Sequence, residues 1–224
     1  MRPTPIVTVT RYLLLDRVTY LVLPWVWAAF GFLLDVVVLR LVPADGTGQR
    51  WVGGLAAAFI VVFAVGVQSV ARALPFALTL GVTRRTYFLG ATALALALAM
   101  CFGLVITVGR ILERATGGWG LNMAYFRVPH LLDGPWYLSW LTAATAFVLL
   151  FVYGMWYGLI HRRAGLFGTT VFGAAQLGVL ALAVAVTTWV HGWTGVGRFF
   201  TTITAAGVTG FLVGGFAAIR RLAV

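Results

Sequence analysis

Residues able to do acid–base, nucleophilic or metal chemistry are few in this chain: three histidines, five carboxylates and one cysteine in 224 residues. His130 and Asp133 lie close together, and Glu113 precedes them in the same polar segment, a set with the chemistry for a metal ion or an acid–base pair. A solvated loop with local hydrogen bonds accounts for the same residues more simply. His161 stands beside Arg162 and Arg163, and His191, in another loop, could meet His130 on the same side, but nothing here assembles a nucleophile with its base. Cys101, inside an apolar run, has no second cysteine to pair with and reads as a small core residue. All sixteen basic residues are arginine, which excludes both the lysine of an ordinary phosphate-binding loop and a lysine Schiff base. No catalytic residue, metal site or cofactor is expected in this chain.

The rest of the composition says what positions these residues. Apolar and aromatic types make up 62% of the chain and charged types 9%, against about 45–50% and about 25% in a soluble domain. This is the composition of an integral membrane protein of the all-α, polytopic class. Six runs are long enough for the roughly 20 residues of a bilayer crossing: Leu21–Leu39, Val52–Val70, Tyr87–Val108, Leu138–Leu159, Leu166–Val190 and Phe199–Ile219. They leave no room for a separate folded domain, so residues 1–224 are expected to form one transmembrane unit. The start of the chain lacks the small-residue cleavage pattern of a signal peptide, so the first span is expected to remain as an anchor.

A formal net charge of +11 would suggest nucleic acid in a soluble protein, but short basic loops facing an anionic leaflet explain it here, and no nucleic-acid partner is expected. With six spans both termini share one side. Ten of the sixteen arginines then fall on the terminal side and six on the other, which predicts cytoplasmic termini. Trp140 and Trp156 are about 24 Å apart on a helix, the separation of two interfacial belts, with Trp25 and Trp27 assigned to the inner belt.

The most patterned inner stretch is Gln68–Gly90. Ala71–Leu80 reads as a short helix carrying Arg72, bent or restarted at Pro75. Gly81 is placed to close it in the left-handed conformation, and Thr83 to cap the helix that follows. Arg84 and Arg85 then stand at a corner between two spans. Before the first span, Pro5–Tyr20 is either an interfacial helix or an extension of that span. Beyond the third span, Gly109–Tyr137 reads as a partly structured outer cap.

Within the spans, Asp35 is the one ionisable group, expected to pair with Arg40 or Arg110. Gln68 and Gln176 are the deep amides; each either bonds a neighbouring helix or lines a largely apolar path suited to amphipathic cargo. Gly154 and Gly158, like Gly210 and Gly214, have the spacing that lets helix backbones approach closely, within one chain or between two.

Two segments carry a family resemblance. Leu74–Gly90, LPFALTLGVTRRTYFLG, resembles the cytoplasmic loop of bacterial ABC transporter permease subunits of the type-two exporter class, and Gly154–Gly165, GMWYGLIHRRAG, is similar to the end of their fourth span. The resemblance implies a permease that pairs with a second permease chain, identical or homologous, and with a separate ATPase that supplies the ATP and Mg chemistry. It implies that Ala71–Arg85 is a coupling helix seated on the ATPase, with Gly81 setting the corner and Arg84 and Arg85 meeting the ATPase or lipid head groups. The position of the long outer segment, between spans three and four, departs from the family pattern, which elaborates the region before the last span. A non-transporting scaffold or sensor subunit, its outer loop binding a ligand, is the alternative.

Overall fold

The computed structural model describes residues 5–42, 50–127 and 135–191. Four helices there are long and apolar enough to cross a membrane: Val18–Leu41, Leu55–Thr79, Arg84–Ala115 and Trp136–Gly178, of 24, 25, 32 and 43 residues. This is a helical, membrane-spanning chain. The expected sixth run, Phe199–Ile219, lies outside the described residues. The fourth and fifth expected runs fall on one helix, α6 (Trp136–His191), whose helical backbone is interrupted at Gly165 with φ 64° and ψ −162°. The chain divides into two compact units, residues 1–162 and 163–224; in the second, the described part is the remainder of α6.

The first unit begins with α1 (Pro5–Leu13), which is a helix of its own and not an extension of the first span. It buries Val9 and Leu13, and the Thr10 hydroxyl donates to the Gly90 carbonyl of α5 (Arg84–Ala115) at 3.3 Å. A turn at Asp16 separates it from the first span, the Thr19 amide donating to Asp16 Oδ1 at 3.2 Å.

The first two spans start and end in the same unusual way. A five-residue π turn, Val18–Val22, precedes α2 (Leu23–Leu41), and a second, Ser69–Ala73, joins α3 (Leu55–Gln68) to α4 (Leu74–Thr79). Each π turn stops just before a Leu-Pro-aromatic triplet, Leu23-Pro24-Trp25 and Leu74-Pro75-Phe76. A proline cannot donate to the carbonyl one turn back and its ring crowds that turn, so widening the bonding ahead of it leaves proline in the first turn of a fresh α segment. As a result the short helix expected to begin at Ala71 is instead the continuation of the second span: the backbone stays helical from Leu55 to Thr79.

Close approach of two helices fixes the middle of the unit. Gly154 and Gly158 of α6 face α3 within the chain: a Cβ at Gly158 would lie 2.8 Å from the Val67 carbonyl oxygen, and one at Gly154 would collide with that of Phe63. The glycine pair therefore serves an intrachain contact. Elsewhere in the same unit an aromatic cluster forms, with Phe102 4.6 Å from Trp25, 5.7 Å from Phe59 and 5.1 Å from Phe147 between ring centroids. Trp25, assigned to an interfacial belt, is half-buried and packs on the bundle through this contact. Cys101 is exposed, the reverse of its expected place in the core.

Candidate functional site

The corner that the sequence singles out is built as its residue types require. Gly81 has φ +80°, its amide donates to the Leu78 carbonyl and the Val82 amide to that of Ala77, both at 3.1 Å. These two bonds are the Schellman closure of a helix, which needs a left-handed residue at this position. Thr83 then adopts extended backbone and its hydroxyl accepts the Thr86 amide at 3.2 Å, capping α5. Arg84 and Arg85 follow, both exposed and without a hydrogen-bond or ion-pair partner among the described residues. Around the same end of the unit lie Arg11 and Arg17, also exposed.

One hydrogen bond ties this corner to the helix behind it. The Tyr87 phenol, on the first turn of α5, is fully buried and donates to the Ser69 carbonyl at 2.6 Å. Ser69 opens the second π turn, and its carbonyl also accepts the Leu74 amide. Tyr12 of α1 stacks on Phe76 of α4, with centroids 5.8 Å apart and planes 17° from parallel.

Between α1, the first π turn and the second lies a cavity of about 270 Å³, lined by Tyr12, Asp16, Thr19, Tyr20, Gln68 and Arg72 among others. Both π turns contribute to its wall, Thr19 and Tyr20 from the first and Arg72 and Ala73 from the second. Gln68 and Arg72, assigned from sequence to a substrate path and to a coupling helix respectively, thus line one space. Arg72 is exposed and neither it nor the Gln68 amide has a hydrogen-bond partner among the described residues. Sequence reasoning missed Asp16, Tyr12 and Tyr20 here, although a Leu-Pro-aromatic triplet follows the π turn on each side. Gln176 is half-buried on α6 beyond Gly165, in the second unit.

The opposite end of the unit is a cap. Glu113, at the far end of α5 and 1% exposed, accepts the backbone amides of Tyr125 and Phe126 through Oε2, each at 2.8 Å. A left-handed turn at Gly117–Gly120 brings the chain back, and β2 (Met123–Ala124) pairs in parallel with β1 (Arg50–Trp51). The Tyr125 phenol donates to the Ala28 carbonyl of α2 at 2.5 Å, and Phe32 packs edge-on against both Trp119 and Tyr125. Tyr125 titrates at about 12, pushed up by burial and then by the negative charge of Asp35.

Two expected pairings are corrected here. Asp35 bonds the Gly54 amide at 2.8 Å, not an arginine, because α2 and α3 meet at that level and leave the amide at the start of α3 to be capped. Arg110 is buried and bonds the Ser139 hydroxyl of α6. Glu113 gives one oxygen, Oε2, to backbone amides, while its Oε1 is buried with no hydrogen-bond partner among the described residues; His130 and Asp133, the other members of the set, lie outside the described residues. No cluster of three or more His, Cys, Asp or Glu able to hold a metal occurs among the described residues. No family model, curated protein or solved structure matches this chain.

Proposed function

We propose that the chain is the membrane permease subunit of an ATP-driven ABC exporter in a bacterial plasma membrane. On this reading it has six spans and cytoplasmic termini, works with a second permease chain, and moves an amphipathic or lipid-like substrate outward. ATP and Mg belong to a separate ATPase subunit, since this chain has no lysine for a nucleotide phosphate. The observation that carries the proposal is mechanical. An exposed, rigidly closed basic corner, Gly81–Arg85, is joined through Tyr87 and Ser69 to the π turn that lines the Gln68–Arg72 cavity. A force applied to the corner by a neighbouring ATPase would act on the first turn of α5 and on the wall of the cavity together, which is what coupling of hydrolysis to transport requires. Ala71–Arg85 is then the coupling segment, with Arg84 and Arg85 offered to acidic groups of the ATPase.

Affinity purification of the full-length chain from its native membrane in mild detergent, followed by mass spectrometry, tests this. An ATPase bearing a phosphate-binding loop is expected in the purified complex, at reduced recovery for Arg84→Glu/Arg85→Glu. Absence of any ATPase, or labelling that puts position 84 on the exterior face, would overturn it.

The cap favours a second reading. Its fixed geometry, with Glu113 holding Tyr125 and Phe126, suits a scaffold or sensor subunit whose outer surface recognises a ligand. That role would give ligand binding without ATP-dependent transport.

A further inference from the structure

The cavity between α1 and the two π turns holds opposite charges that do not neutralise one another. Asp16 and Arg72 both line it, and neither has an ion-pair partner among the described residues; one Asp16 oxygen accepts the Thr19 amide. Tyr12 and Tyr20 line it as well, and Gln68 brings an amide donor. From these residues we infer that the cavity binds a zwitterionic phosphate–ammonium headgroup, the chemistry of an amine-bearing phospholipid such as phosphatidylethanolamine. The Arg72 guanidinium and the Gln68 amide take the phosphate oxygens. Asp16 takes the ammonium through a charge-assisted hydrogen bond.

Depth, size and charge each narrow the ligand. The apolar run of the first span begins at Val18, and Arg72 is about 25 Å along the helix from Leu55, so the cavity lies at the edge of a hydrocarbon layer about 30 Å thick. Headgroups, not acyl chains, occupy that level. A volume of about 270 Å³ is just below the roughly 300–1,000 Å³ of drug-sized sites and suits a small headgroup. An anionic headgroup such as phosphatidylglycerol would satisfy Arg72 but bring negative charge against Asp16, and a plain cation would meet Arg72; each charge rejects what the other alone would accept.

The inference does not rest on the transport reading, since a resident lipid and a transported one present the same headgroup. Native mass spectrometry of the full-length chain in mild detergent, offered equimolar phosphatidylethanolamine and phosphatidylglycerol, tests it without ATP or an ATPase. The wild-type chain is expected to retain phosphatidylethanolamine about fivefold better, the worth of one partly exposed charge contact. Asp16→Asn should bring the ratio near one while binding persists, and Arg72→Gln should weaken both lipids, with Arg72→Lys restoring them. Melting curves check that each variant folds, and the Asp16 ratio stands even if Arg72→Gln does not. Displacement of the lipid by water-soluble phosphoethanolamine would identify the headgroup alone as the ligand; retention against it would identify the whole lipid, and either outcome supports the site. Equal retention of the two lipids by the wild type, or an unchanged ratio in Asp16→Asn, would overturn the inference. A missing ATPase partner would leave it standing.

Discussion

The Tyr87 phenol and the Ser69 carbonyl, 2.6 Å apart and both buried, join the start of the third span to the π turn of the second. The bond spans the loop that contains Gly81, so the corner is closed at its base by a side chain as well as at its tip by the backbone. Tyr87→Phe keeps the ring and removes the bond, leaving Ser69 with its Leu74 partner. A loss of about 1 kcal/mol is expected, read as a lowered melting temperature in detergent, with membrane insertion unchanged.

At Gly81 an added Cβ meets nothing within 4 Å, and φ is +80°. The cost of a side chain is therefore backbone strain alone. Gly81→Val should destabilise the corner by about 1–2 kcal/mol and Gly81→Asn by clearly less, because asparagine tolerates the left-handed region. If recovery of a partner ATPase falls for valine and not for asparagine, the corner's shape is what the partner reads; equal recovery would separate the corner from partner binding.

Gly154 and Gly158 pack on the carbonyls of α3, where no flexible side chain can yield. Gly158→Leu should cost upwards of about 1–3 kcal/mol through overpacking and open the contact. A disulfide or crosslink engineered between α3 and α6 in the wild-type background should form within one chain, and its formation only between chains would contradict the packing.

Glu113 holds two amides of the returning loop with one oxygen. Glu113→Ala should free residues 118–127, at about 1.5–3 kcal/mol for each charge-assisted bond lost. Glu113→Gln, which keeps an acceptor oxygen, should lose roughly half as much. Hydrogen exchange at Tyr125 and Phe126 is the measurement, and unchanged protection in Glu113→Ala would contradict the assignment.

Tyr125 gives the cap a pH dependence. Its folded value of about 12 stands above the ordinary 10.0 because the buried phenol beside Asp35 resists ionisation. Its contribution to stability is complete below pH 10, where folded and unfolded chains both keep the proton, and is lost as pH rises from about 10 to about 12. Tyr125→Phe should flatten the fall in melting temperature across that window, besides removing the bond to Ala28; an identical slope in both proteins would refute it.

Much of this was legible along the chain. The apolarity of the described spans, the left-handed Gly81 and the Thr83 cap follow from local rules: a helix end needs a residue free of Cβ strain, and the next helix needs an acceptor for its first amides. The helical character of Ala71–Leu80 was legible as well. Its continuity with the second span was not, because whether a proline breaks a helix or is absorbed by a π turn depends on what packs behind it, here Tyr87 and the buried face of Val70, Leu74 and Ala77.

Partner choice was beyond the sequence. Asp35, Arg110 and Glu113 announce buried polar groups, but an arginine and a backbone amide are equally good answers to a carboxylate, and the nearer one wins. Only the approach of α2 to α3 puts the Gly54 amide against Asp35, and only the left-handed turn after α5 brings Tyr125 and Phe126 to Glu113. Composition and local stereochemistry settled that the chain is helical, apolar and basic at a glycine corner. Three-dimensional packing decided which charges find partners and which, Asp16 and Arg72, line an open space with no ion pair among the described residues, because distance between side chains far apart in sequence is set by how the helices meet.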